Sequence, residues 1–155
     1  MTAHFTILED DLTGVAIQAL LTFHLTEMHK NSPPESVFAL DLSGLRAPGV
    51  TVWSVWRDDH LAAIGALKAL SATAAEVKSM RTHPDHLRQG AAAHLLTHII
   101  DTARARGYLG LSLETGRGPA FEPALAMYRA QGFTEGGAFA DYLPNPFSRF
   151  FHLTL

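Results

Sequence analysis

Met80-Arg81-Thr82-His83-Pro84-Asp85-His86-Leu87-Arg88-Gln89-Gly90-Ala91-Ala92-Ala93-His94-Leu95-Leu96 is the stretch on which the reading of this chain turns. A β-branched and apolar run ends at Pro84, a short polar loop passes through Arg88, Gln89 and Gly90, and small residues then open a helix. Small side chains let a ligand approach the backbone, and the first free N–H groups of a helix point at whatever sits there. The helix dipole and the fork of N–H donors both favour negative charge, which suits a diphosphate. The plain alternative is an ordinary strand-to-helix turn. No Gly-Lys-Ser/Thr follows Gly90, so a nucleotide P-loop is excluded, and no Gly-x-Gly-x-x-Gly turn occurs, so a dinucleotide fingerprint fails as well.

The elements around this loop fall into place by periodicity. Ala75 to Thr82 is predicted as the strand leading into it, and Gly90 to Arg106 as the helix leading out. Ala92, Leu95, Leu96, Ile99 and Ala103 form that helix's apolar stripe, and Gly107 ends it. Leu109 to Thr115 is a strand, which closes a strand–loop–helix–strand crossover. Pro123 to Gln131 is a second helix stopped by Gly132, and Phe133 onward and Ser148 to Leu155 read as closing strands.

Upstream, His4 to Leu8 reads as a strand. A helix follows, capped by Asp11 or Thr13, with Ile17, Leu20, Leu21, His24 and Met28 on one face, and Pro33 and Pro34 stop it. Glu35 to Gly49 is expected to hold a short helix around Phe38 to Leu42. Val50 to Trp56 and Leu61 to Leu70 form a hairpin across Arg57-Asp58-Asp59-His60. The order β-α-(α)-β-β-β-α-β-α-β-β is that of an α/β domain, a mixed central sheet with helices on both faces.

Composition narrows the function classes. The 155 residues fit one domain, read as spanning 1–155, large enough to bury a sizeable core. No apolar run approaches the roughly 20 residues that cross a bilayer, and the first residues lack the basic-then-apolar pattern of a secretory signal, so a cytoplasmic protein with no membrane partner is expected. With Cys 0, disulfides, thiol nucleophiles and thiolate metal sites are excluded. A formal charge of −3 with dispersed Lys and Arg argues against a nucleic-acid partner.

Leu87-Arg88-Gln89-Gly90-Ala91-Ala92 resembles the Arg/Gln-x-x-Gly-x-Gly/Ala loop of the GNAT family of N-acetyltransferases, departing from it at Leu87. Ala124-Leu125-Ala126-Met127-Tyr128-Arg129-Ala130-Gln131-Gly132-Phe133 is similar to the family's Ala-x-x-Leu-Tyr-x-x-x-Gly-Phe segment, with Met127 in the leucine place. Phe121 stands where the family often has Asn. The element order resembles the acyl-CoA N-acyltransferase fold from end to end. The resemblance implies acetyl-CoA as co-substrate and no metal. Its pantetheine would lie along the strand near Met80 and Thr82, and its diphosphate over Leu87, Arg88, Gln89, Gly90, Ala91 and Ala92. The Met80 N–H would polarise the thioester.

Acetyl transfer to an amine requires a neutral amine, a stabilised oxyanion and a protonated leaving thiolate. Tyr128 is the candidate acid, because a phenol titrates near ~10 and stays protonated at neutral pH. The alternative is a tyrosine half buried against the sheet. Glu76 is the candidate base, through a water. Strand alternation places Glu76, Lys78 and Met80 on one face, and the alternative is a solvated Glu76–Lys78 pair.

The nine histidines invite a metal reading, but His94 with His98 and His83 with His86 lack the further ligands that zinc needs. His24 or His29 could line a substrate pocket. Glu27, His29, Ser32, Glu35, Asp141 and Tyr142 are the groups available to an acceptor, and Arg149 would suit an acceptor carboxylate.

A primary amine on a small molecule or a peptide is therefore the expected acceptor. A non-catalytic acyl-CoA sensor and a metal-dependent hydrolase are the alternatives. Phe147, Phe150 and Phe151 crowd the last strand, and a two-sided apolar edge strand is usually covered, so a homodimer through the C-terminal strands is expected.

Overall fold

The computed structural model describes residues 4–155. Among them, strands β1 (Thr6–Glu9), β2 (Val50–Arg57), β3 (His60–Ala69), β4 (Ala74–Thr82), β5 (Gly110–Thr115), β6 (Thr134–Gly136) and β7 (Arg149–Thr154) make one sheet. Its spatial order is β1-β2-β3-β4-β5-β7-β6. The β4–β5 pair is parallel and the other neighbours are antiparallel. Helices α1 (Val15–Asn31) and α2 (Leu42–Leu45) cover one face, and α3 (Ala91–Ala105) and α4 (Glu122–Ala130) the other.

α1 buries Ile17, Leu20, Leu21 and His24, the stripe that the periodicity predicts. Its cap differs. Gly14 precedes the first turn, while the Asp11 carboxylate turns back to accept from the Thr13 N–H and hydroxyl at 3.0 and 2.7 Å. The short helix expected over Phe38 to Leu42 starts later, at Leu42, because Asp41 caps it by accepting from the Gly44 N–H at 2.8 Å. α3 buries Leu95, Leu96, Ile99 and Ala103 as expected, together with Ala91 and Ile100. Ala92 is only half-buried.

Against the sequence expectation, β7 is not an edge strand. It inserts between β5 and β6, with Leu113 opposite Phe151 and Glu135 opposite the same residue on the other side. Phe150 and Phe151 are buried within the chain, and Phe147 packs edge-on against Phe121 at 5.6 Å. The apolar strand that argued for a homodimer is thus spent on the protein's own core.

Two features of β4 position the site. It pairs with β5 only at Ala74, Ala75 and Glu76, and beyond Glu76 the strands part. Backbone groups along a parted strand need other partners, so the wedge is a natural seat for an extended ligand carrying amides. At the same level β4 bulges: Ile64 pairs with Arg81 but Ala66 with Lys78, so Gly65 faces both Ser79 and Met80, and Ser79 takes a φ of +58°. The extra residue breaks the alternation. Glu76 and Lys78 share one face, as expected, but Met80 turns to the other and packs over Gly65 beside Leu95. A Cβ at position 65 would collide with the Met80 sulfur, so the glycine makes room for the bulge.

Candidate functional site

The loop before α3 borders a surface cavity lined in part by Met80, Thr82, Leu87, Arg88, Gly90, Ala91 and Ala92. Gly90 holds the helix N-cap position at φ +86°, a left-handed conformation that glycine adopts without strain. The His94 N–H is the first to find an intrahelical acceptor, the Gly90 carbonyl at 2.9 Å. The Ala91, Ala92 and Ala93 N–H groups therefore lead the helix with no acceptor within it, and the first turn carries no acidic side chain. Gln89 departs from expectation. Its side chain is drawn away by Arg57, whose guanidinium donates to Gln89 Oε1 at 2.8 Å, and it does not line the cavity. Phe121, in the place where an amide was sought, is a packing residue against Phe147.

A second cavity of about 180 Å³ opens where β4 and β5 part. Arg81 and Met80 border both cavities, so the two meet at the bulge. α4 delivers Tyr128 to the inner one. Its ring lies edge-on to Phe133 at 5.7 Å, and burial holds its pKa above the ordinary phenol value, opposed by the Arg81 charge. Such a hydroxyl keeps its proton at neutral pH and offers it as a hydrogen bond.

Glu76 is almost fully buried, at 2% exposure, and lines the same cavity. It is not a solvated surface charge. Its Oε2 accepts from the Tyr142 hydroxyl and from Lys78 Nζ, the latter at 3.3 Å, while Lys78 also donates to the Tyr142 oxygen at 2.8 Å. One carboxylate oxygen is therefore already shared between a cation and a phenol.

Glu114 was not singled out from the sequence. It lies on β5, two residues past Ser112, which pairs with Glu76 across the sheet, and so shares the Glu76 face. Ser148 donates to its Oε2 at 2.8 Å. Burial pushes its carboxyl pKa up to about 7, with Glu76 adding to the rise while Ser148 and Lys78 oppose it. The signal was present as the Leu111-Ser112-Leu113-Glu114 alternation. Its value depended on which strand β5 would pair with.

The other candidates scatter. His24 and Glu27 line the inner cavity; His29, Ser32 and Glu35 do not. Asp141 and Tyr142 border an adjoining depression that shares Phe38, Glu76 and Lys78 with the inner cavity, and Tyr142 is bonded to both Glu76 and Lys78. Arg149 is held by Glu135 through two bonds of 2.9 and 2.8 Å, away from the cavity. His98 packs on Trp53 and His94 beside Phe5. Among the described residues no three His, Cys, Asp or Glu side chains converge as a metal would require, and no helix is long and apolar enough to cross a membrane.

Residues 17–133 match the family model described as acetyltransferase (GNAT) family. The chain is 50% identical over 151 residues to the uncharacterized N-acetyltransferase YedL of Escherichia coli (strain K12), covering 97% of this chain and 95% of that protein. It superposes on the crystal structure of an acyl-CoA N-acyltransferase candidate from Klebsiella pneumoniae with a TM-score of 0.82 at 28% identity, over 99% of both chains. A Bacillus subtilis acetyltransferase solved in complex with CoA shares the fold at TM-score 0.73 and 16% identity, over 98% of this chain and 99% of that one.

Proposed function

The chain belongs to the GNAT family of acetyltransferases, and from that premise we propose that it transfers an acetyl group from acetyl-CoA to the primary amine of a small molecule by direct attack in a ternary complex. The observation that carries this reading is that the two cavities adjoin at the β4 bulge, sharing Met80 and Arg81 in their linings. The outer one ends on a helix N-terminus suited to a diphosphate, and the inner one is lined by the Tyr128 phenol and the carboxylates of Glu27, Glu76 and Glu114. The residues present fit acetyl-CoA. Backbone groups of β4 past Glu76 would bond the pantetheine amides, and the Ala91 to Ala93 N–H groups the diphosphate.

In this reading the acceptor nitrogen forms its bond to the thioester carbonyl carbon as the C–S bond breaks. The proton lost by nitrogen passes to a carboxylate. Glu114 suits that task better than Glu76, because a carboxyl poised near neutrality is ionised often enough to be ready and basic enough to accept. Glu76 holds Lys78 and Tyr142 in place on the same wall. In the same reading the Met80 N–H supports the developing oxyanion, and the Tyr128 hydroxyl donates to the departing sulfur. The size of the inner cavity favours a small molecule over a peptide chain. A free-thiol release assay with acetyl-CoA against a panel of primary amines tests the proposal, and acetyl-CoA binding with no turnover on any amine would favour a sensing role.

A further inference from the structure

Arg81 is a half-buried cation with an unfinished set of partners. It follows the β4 bulge and points toward α1, where its Nε donates to His24 Nδ1 at 2.9 Å. His24 is 5% exposed, and burial, with the charges of Arg81 and Lys78, holds its pKa down to about 3. It is therefore a neutral acceptor that orients the guanidinium without balancing its charge. The Phe23 ring centroid lies 5.8 Å from the guanidinium carbon, within cation–π range.

No carboxylate comes within ion-pair distance of Arg81 among the described residues. Glu27 acts on it by charge across a gap, and that carboxylate is engaged by the Asn31 amide at 3.3 Å. Neither terminal nitrogen of the guanidinium has a protein acceptor among the described residues, and neither is sealed from the cavity. Lys78, the neighbouring cation, is already committed to Glu76 and Tyr142. The terminal nitrogens of Arg81 face open space rather than a protein partner, and a guanidinium clamped at Nε presents its other two nitrogens as a planar fork that matches a carboxylate.

We propose that Arg81 is the docking group for a carboxylate on the acceptor, so that the preferred substrates are small amino acids and related amines carrying both groups. The proposal rests on the inner cavity being the acceptor site. The lining of that cavity carries Arg81 and Lys78 together with the carboxylates of Glu27, Glu76 and Glu114, and groups of both signs complement a zwitterion. Arg149, the arginine that the sequence offered for this purpose, has its fork filled by Glu135.

Arg81 also borders the outer cavity, so a phosphate of the cofactor is the rival source of the anion. The test compares wild type, Arg81→Gln and Arg81→Lys in thiol release with amino acids, β-alanine and γ-aminobutyrate against their carboxamides. Wild type is expected to prefer the carboxylates. Arg81→Gln should raise their KM by about 10²-fold, well beyond any change in KM for the carboxamides or acetyl-CoA, and so erase the preference, and Arg81→Lys should recover part of it. A raised KM for acetyl-CoA with acceptor preference intact would assign Arg81 to a phosphate and overturn the proposal, as would equal use of acids and amides by wild type. Calorimetry of the CoA-saturated protein with the same compounds separates this proposal from the transfer reaction. Binding of the acids, lost in Arg81→Gln, would support it even without turnover, whereas no binding of any acid would end it.

Discussion

The Ser148 hydroxyl at the threshold of β7 donates to Glu114 Oε2 on β5 at 2.8 Å, tying a carboxyl poised near neutrality to the strand that inserts beside it. The bond fixes one oxygen of Glu114 and stabilises its charged form, yet burial outweighs it and keeps the pKa high. A group in that state is a proton acceptor placed by non-local pairing.

Glu114 should set the acidic limb of the pH–rate profile. In wild type kcat/KM is expected to rise through about pH 7 as the carboxyl ionises. Glu114→Gln should lose about 10²-fold or more in turnover at neutral pH and regain part of it at higher pH, where free amine is abundant. Glu76→Gln should keep the limb. If the limb disappears in the Glu76 variant and survives in the Glu114 variant, the two roles are reversed.

The same carboxyl predicts a stability difference with a definite sign. Its pKa is about 7 folded against an ordinary 4.5, so between those values the folded state binds more protons than the unfolded one. Its presence therefore favours folding below pH 4.5 and becomes progressively unfavourable as pH rises to 7. Glu114→Gln should raise the melting temperature relative to wild type more at pH 8 than at pH 5. Parallel melting curves across that range would show the carboxyl to be solvated.

Tyr128→Phe keeps the ring against Phe133 and removes only the hydroxyl. Turnover should fall by roughly 10²-fold, with folding and acetyl-CoA affinity nearly unchanged. Parallel losses in affinity and turnover would make the hydroxyl a binding contact, and full activity would make Tyr128 a core residue alone.

Gly90→Asp should abolish acetyl-CoA binding while the protein stays folded. Nothing lies within 4 Å of where a Cβ would sit, and aspartate tolerates the left-handed φ better than most residues. The loss would come from a negative charge set where the diphosphate must approach the helix N-terminus. Unchanged affinity in titration calorimetry would remove the diphosphate from this loop.

The loop from Arg88 to Ala92, α3 with its apolar stripe and terminal Gly107, the β2–β3 hairpin and the position of Tyr128 on α4 were all legible in the chain. Each is written in spacings of a few residues: a glycine at a left-handed position, apolar side chains at helical intervals, a short polar turn between strands. Tertiary structure alone decided that β7 enters between β5 and β6, which consumed the phenylalanines that had argued for a homodimer. It decided too that Gly65 faces two residues, which turned Met80 over and sent Arg81 to His24. It also brought Glu114 onto the face of Glu76. Those outcomes depend on register between strands far apart in the chain, where a shift of one residue exchanges the two faces. That register is settled by how the side chains of both strands pack together, and no single stretch of sequence carries it.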